Sequence, residues 1–193
     1  MTNEELDKAS SIIKNGGVIA YPTESVFGFG CDPLNQSALE RILKIKERAP
    51  SKGLIIVASK LNQIMPFIDM SKISGEIWEK VTCVWPGPIT YILPASDKTP
   101  KLLRGGRDTI AIRVSSNSTI CELCDYLNMA IVSTSSNLSG KDPLREYLKV
   151  EEEFGNLVDL VVHENVGEEP TPTEIRDALT GKIIRKGIRK NNG

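Results

Sequence analysis

The sequence predicts an α/β fold, and three observations carry that prediction. Short apolar runs of strand length alternate with amphipathic segments of helix length along the whole chain. Turn residues punctuate the junctions, as at Gly16-Gly17, Pro22 and Pro86-Gly87-Pro88. The apolar and charged fractions, 40% and 25% of 193 residues, are those of a globular chain able to bury a core without disulfides or metal. No repeat, linker or low-complexity stretch divides it, so residues 1–193 read as one domain.

From the N-terminus, Asn3 to Asn15 predicts a helix with Leu6, Ala9 and Ile13 on one face, ended by Gly16-Gly17. Val18 to Tyr21 is a buried strand closed by Pro22. A second helix begins near Asn35 or Ser37, where Ser37 and Glu40 fit a capping box, and turns Leu39, Ile42 and Leu43 inward. Pro50 disfavours helix at Ala49 and stops this helix near Ile45 to Glu47. A strand over Leu54–Ala58, a helix over Ile73–Trp85 and a strand over Ile89–Leu93 follow, then a long polar loop from Pro94 to Arg107. Thr109–Val114 reads as a strand, Thr119–Leu127 as a helix and Ala130–Thr134 as a strand, with a turn-rich loop from Asn137 to Pro143. A helix near Leu144–Phe154 and a strand over Leu157–Val162 come next, and short apolar segments around Ile175 and Ile183-Ile184 end the chain.

Composition and motifs exclude several function classes. Net charge is −1, so no global basicity advertises nucleic acid or membrane. The first residues are polar and acidic, with no basic segment leading into an apolar one, and no apolar run reaches the ~20 residues that span a bilayer. A cytoplasmic location is the expectation, and Asn35, Asn117 and Asn137 are then chance N-x-[ST] matches. Cys31, Cys83, Cys121 and Cys124 are too scattered for a disulfide framework. Cys121 and Cys124 form a C-x-x-C, but no second close pair exists and His163 is the sole histidine, so no metal site is expected. Neither a phosphate-binding G-x-x-x-x-G-K-[ST] nor a G-x-S-x-G elbow occurs. Gly28-Phe29-Gly30 does not extend to G-x-G-x-x-G, because Pro33 occupies the third glycine position. Ser11 to Lys14 satisfies S-x-x-K only on an amphipathic helix lacking a K-T-G partner.

The chemical signal lies in polar residues spaced by two. Lys46 and Arg48 cannot share a helical face, whereas in an extended chain after a helix end they do, and Lys46-x-Arg48-x3-Lys52 would aim cations at one anion. Along 109–114, Thr109, Ala111 and Arg113 line one face, with small Ala111 leaving room between polar neighbours. Ser133, Ser135 and Asn137 likewise share one side at the C-terminal end of their strand, where ligands of α/β folds gather. Tyr21 to Ser25 carries hydroxyls just past a strand. Each feature has a bland counterpart: solvated charge at a helix C-terminus, a polar turn, an edge arginine paired with a carboxylate. Together they describe a cationic, hydroxyl-rich site almost devoid of histidine, which favours phosphate and carboxylate binding.

At these residues the sequence resembles the YrdC/TsaC family. The resemblance runs through Gly17 to Cys31, Lys46-x-Arg48-x3-Lys52-Gly53-Leu54, Trp85 to Thr90, Asp108 to Val114, Ser133 to Gly140, Thr180-Gly181 and Ile184-Arg185-x-Gly187. It implies a twisted, open mixed sheet flanked by helices around a deep basic cavity, in the family's short form. It also implies synthesis of L-threonylcarbamoyladenylate from L-threonine, bicarbonate and ATP with release of pyrophosphate, the first step of tRNA threonylcarbamoyladenosine modification. By that likeness Lys46, Arg48, Lys52, Thr109, Ser135, Asn137 and Arg185 bind ATP, with Lys46, Arg48, Ser135 and Asn137 central to catalysis. Thr23, Arg113, Ser133 and Thr173 would hold threonine, Arg113 clamping its carboxylate. Mg2+ would arrive on the triphosphate. The implied partners are the downstream tRNA threonylcarbamoyl-transferase complex and, weakly, tRNA itself, with no membrane.

Four departures from the family pattern stand out. Ala49 precedes Pro50 where proline usually follows the arginine directly, and Ser136 occupies the middle of the usual S-A-N. Pro172-Thr173-Glu174-Ile175 replaces Pro-Ser-Thr-Ile, putting a carboxylate where a hydroxyl is usual, and the glycine-rich lead-in is eroded over 166–170. Two other readings stay open: an RNA-holding module, against which 5% aromatic content speaks, and a paralogous carbamoyl- or adenylyl-transferring enzyme.

Overall fold

The computed structural model describes residues 1–167 and 173–187. Strands β1 (Ile19–Pro22), β2 (Phe27–Gly30), β3 (Ile55–Ala58), β4 (Ile89–Pro94), β5 (Thr109–Val114), β6 (Ile131–Ser135), β7 (Leu160–Val161), β8 (Glu174–Asp177) and β9 (Ile183–Arg185) form one mixed sheet in the order β7-β1-β2-β6-β3-β5-β4-β8-β9. Helices α1 (Asn3–Lys14), α2 (Gln36–Ile45), α3 (Leu61–Ile64), α4 (Gly75–Thr82), α5 (Lys101–Arg104), α6 (Ser118–Leu127) and α7 (Tyr147–Phe154) cover it.

Local chemistry explains most boundaries. Thr2 and Glu5 form a capping box that opens α1. The α2 start is capped by Asn35, whose side chain accepts from Ala38 N; Ser37 donates to Asn35 and forms no box with Glu40. Asn117 caps α6 in the same way. Four elements differ from the sequence reading. Phe27-Gly28-Phe29-Gly30 is strand β2, the strand at 157–162 shrinks to Leu160–Val161, and the 94–107 loop contains the turn α5. The segment after α2 is not extended: Glu47 sits at φ 48° and Pro50–Lys52 forms a 3-10 turn.

Side-chain alternation divides the apolar residues between two layers. On one face, Leu39 and Ile42 of α2, Val81 of α4 and Val150 and Phe154 of α7 pack on Phe29, Ile56, Ile110, Ile112 and Val132. On the other, Ala9 and Ile13 of α1 and Ile120, Leu123 and Cys124 of α6 pack on Ile19, Tyr21, Val57 and Ile131. This second layer covers only part of its face. Two residues along β3 and β6 from Val57 and Ile131 stand Ile55 and Ser133, which line an open cleft. The functional geometry follows from this half-covered face.

Candidate active site

The cleft encloses about 520 Å³. Its floor is a row of five registered residues, Ser133–Ile55–Ala111–Ile92–Asp177, crossing β6, β3, β5, β4 and β8. The cleft therefore lies across a sheet face. Of the sequence argument for strand C-termini, β6 obeys, β3 contributes Ile55 from its N-terminal end, and β5 contributes Thr109 and Ala111 from its N-terminal half and Arg113 from its C-terminal half.

Thr23, Arg48, Lys52, Thr109, Arg113, Ser133, Ser135, Thr173 and Arg185 line this cleft; Lys46 and Asn137 do not. The reason lies in the turn after α2. Lys46 is still right-handed at the helix C-cap, and left-handed Glu47 then swings the chain so that Lys46 and Arg48 diverge. Lys46 is 2% exposed. Its Nζ donates to the Ser135 carbonyl, to Asn137 O at 2.9 Å and to Asn137 Oδ1 at 3.2 Å, and lies 5.6 Å from the Phe29 ring centre. Burial, then the nearby Arg48 charge, pulls its pKa down to about 7. Ser135 Oγ donates to Asn137 Oδ1 at 2.6 Å, and Asn137 Nδ2 donates to Leu138 O and Lys141 O. Lys46 and Asn137 thus build the wall that presents Ser135.

Arg48 points into the cleft, its Nε and Nη2 donating to Gly53 O at 3.2 and 3.1 Å. Burial first, then Arg107, lowers its pKa. Gly53 has φ 63°, and a Cβ there would meet Leu103 O at 2.7 Å, so this carbonyl can be offered only by glycine. Arg107 donates to Ser51 O and Lys52 O at 3.1 and 2.9 Å. Arg104 lies 3.9 Å from exposed Asp108, and its buried Nε has no partner among the described residues. Arg104 and Arg107 are cleft residues the sequence reading passed over, because they sit in the segment read as loop.

The opposite end is organised around Arg113, which is 5% exposed. Its Nη1 donates to Thr173 Oγ1 at 2.8 Å and its Nη2 to Glu24 Oε2 at 3.0 Å. Ser115 Oγ donates to Glu24 Oε1 at 2.6 Å. Thr23 Oγ1 donates to Val26 O at 2.7 Å, closing the turn that carries Glu24. Arg185 Nε and Nη2 donate to Thr173 O at 3.0 and 2.7 Å, so this arginine stands beside Arg113 and not beside Arg48. Alternation on β8 turns Ile175 and Asp177 to the cleft. Glu174 faces away and accepts from Arg176, so the carboxylate that breaks the family pattern is no part of the wall. Residues 168–170 and Pro172 of the same motif lie outside the described residues.

Among the described residues no three His, Cys, Asp or Glu side chains converge to hold a metal. Cys121 and Cys124 belong to α6; the Cys124 thiol is pushed up to about 12 by burial and donates to Val57 O. No helix among the described residues is long and apolar enough to cross a membrane.

Comparison with known proteins gives this geometry its relatives. A threonylcarbamoyl-AMP synthase of Klebsiella pneumoniae is 42% identical over 187 residues, covering 97% of this chain and 98% of its own. The structure of P. abyssi Sua5 complexed with L-threonine superposes with a TM-score of 0.88 at 27% identity, covering 95% of this chain and 54% of that longer one. The structure of E. coli YciO superposes with a TM-score of 0.80 at 26% identity, covering 98% of this chain and 92% of that one. The Sua5/YciO/YrdC family model, described as telomere recombination, matches residues 11–187. By sequence over nearly its whole length and by fold, this chain belongs to the Sua5/YciO/YrdC family.

Proposed function

We propose that this chain is a threonylcarbamoyl-AMP synthase, a nucleotidyltransferase that joins L-threonine, bicarbonate and ATP into L-threonylcarbamoyladenylate and releases pyrophosphate. The observation that carries this reading is one cleft with a paired, amino-acid-sized end at Arg113 and a cation-rich end at Arg48, in a chain 42% identical to a protein of that name. In the reaction the amine of threonine forms an N–C bond to the bicarbonate carbon, and water leaves. A carbamate oxygen then forms a bond to the α-phosphorus as the bond to pyrophosphate breaks. Two anions must meet, so the protein's main task is charge neutralisation and alignment. Arg48, Lys52, Thr109 and Ser135 would hold the nucleotide, with Lys46 and Asn137 shaping its wall. Thr23, Arg113, Ser133 and Thr173 would hold threonine, and Arg185 would bridge the two.

A metal would ride on the triphosphate, because among the described residues the cleft carboxylates Glu24 and Asp177 belong to no group of three that could hold one. Residues 1–193 would act as one domain in the cytoplasm, handing the labile product to a tRNA-modifying complex, with at most weak tRNA contact. Pyrophosphate release from ATP tests the reading. It should require both threonine and bicarbonate; release independent of threonine, or none at all, rejects it.

A further inference from the structure

Glu24 is not among the residues assigned above to hold threonine or the nucleotide, yet it is the carboxylate in direct contact with Arg113. Its placement is over-determined. Thr23 Oγ1 and Thr23 N both bond Val26 O, closing a turn around it, and Gly167 packs so tightly on its backbone that a Cβ at 167 would lie 2.6 Å from Glu24 O. Ser115, fully buried, donates to Glu24 Oε1 and also accepts from Asn117 N at the start of α6. One carboxylate oxygen is therefore fixed from behind while the other meets Arg113 at the cleft surface.

The guanidinium opposite is incompletely used. It has five N–H donors, of which Glu24 and Thr173 take two, and its buried Nε has no acceptor among the described residues. A carboxylate accepts about four hydrogen bonds, and Glu24 receives two. Each member of the pair thus keeps capacity of its own sign. The cleft also holds Arg48, Lys52, Arg104, Arg107 and Arg185, so a ligand ammonium would be repelled almost everywhere else. Its other lining carboxylate among the described residues, Asp177, ends the floor row and caps the β8–β9 turn.

We infer that Glu24 and Arg113 together read the zwitterion of the amino-acid substrate, Arg113 taking the α-carboxylate and Glu24 the α-ammonium. This rests on the threonine reading above and adds a specificity residue to it. The pair selects an amino acid over the hydroxy acid or carboxylic acid of the same skeleton. Glu24 also sets the nitrogen beside Arg113 before carbamate formation.

Calorimetric titration of the full chain with L-threonine and with 3-hydroxybutyrate, which keeps the carboxylate and hydroxyl but lacks the amine, tests the inference, with ATP present and bicarbonate omitted. Wild-type protein should bind threonine at least tenfold more tightly than 3-hydroxybutyrate. Glu24→Gln should weaken threonine about ten- to hundredfold, the range for a lost charged hydrogen bond, while changing 3-hydroxybutyrate less than threefold. Glu24→Asp should recover part of the loss. Equal loss of both ligands in Glu24→Gln would mean that Glu24 merely positions Arg113, and overturns the inference. So does equal affinity of wild-type protein for the two ligands, a result that needs no variant to fold. If wild-type protein binds neither, the threonine reading itself falls first.

Discussion

At one end of the cleft Arg113 faces Glu24 and the Thr173 hydroxyl; at the other, Arg48 and Arg107 are steered by backbone carbonyls of Gly53, Ser51 and Lys52. Both ends are built of arginine on the same sheet face, but only the first is offset by a close carboxylate. Among the described residues the second end has only a loose pair, exposed Asp108 at 3.9 Å from Arg104. A carbonyl orients a guanidinium without cancelling its charge, so this end keeps a field suited to a polyanion. At the paired end Glu24 offsets one of the two arginines, Arg113 and Arg185, so less net charge is left and both signs are offered to a small dipolar ligand.

Breaking each end separately gives the largest expected effects. Arg48→Ala should cut the rate of pyrophosphate release by about 10²–10³, the cost of removing one preorganised donor at a developing charge. ATP binding should weaken while threonine binding stays within threefold. Arg113→Ala should lose activity to a similar extent with the pattern reversed. Titration of both ligands into both variants checks this, and a threonine defect in Arg48→Ala that exceeds its ATP defect would erase the division between the ends.

Lys46 was expected to behave like Arg48, and its burial changes that. Lys46→Ala leaves the Ser135 and Asn137 carbonyls without a donor and opens a cavity, so a loss of about 2–4 kcal/mol in urea unfolding is expected along with lost activity. Arg48→Ala should cost no more than about 1 kcal/mol. Equal stability losses would mean that the turn at Glu47 does not separate the two cations as drawn.

The depressed pKa of Lys46 adds a pH dependence of definite sign. An unfolded lysine keeps its proton up to about 10.5, whereas in the folded chain it is released near 7. Between those values the unfolded state binds the extra proton, so this group's contribution to stability rises with pH through that window and is least favourable below it. Only the ammonium can donate to all three surrounding oxygens at once, which opposes the shift but does not outweigh burial. The stability difference between wild type and Lys46→Met, followed from pH 6.5 to 9.5, should move in favour of wild type.

Sequence reading went furthest where periodicity was clean. The alternation along 109–114 placed Thr109, Ala111 and Arg113 on one face, and all three line the cleft. It failed where glycine or a short turn replaced periodicity. Phe27-Gly28-Phe29-Gly30 received no strand assignment, yet it is β2, and Gly30 is bare because a Cβ would lie 2.6 Å from the Tyr21 ring of the neighbouring strand. The Lys46-x-Arg48 spacing was taken as extended, and one left-handed glutamate made it a divergence. Glu24 was invisible as the partner of Arg113 because 89 residues separate them; an acid in a hydroxyl-rich segment after a strand was the signal available.

The smallest predicted effect concerns neighbours that point opposite ways. Ser135 turns to the cleft, and Ser136 turns into the core at 0% exposure, its Oγ without a partner among the described residues. A hydroxyl buried without a hydrogen bond costs about 1–3 kcal/mol relative to one left in water. Removing it sacrifices one oxygen's worth of packing, a smaller loss, and leaves the bond from Ser136 N to Phe27 O in place. Ser136→Ala should therefore raise the urea midpoint at unchanged slope, by up to about 1 kcal/mol, with pyrophosphate release within twofold of wild type. The serine would then be a tolerated departure from the usual alanine, carried at a cost in stability and none in chemistry. A drop in midpoint would mean that Ser136 has an acceptor in solution, and a drop in activity alone would extend the functional wall one residue into the core.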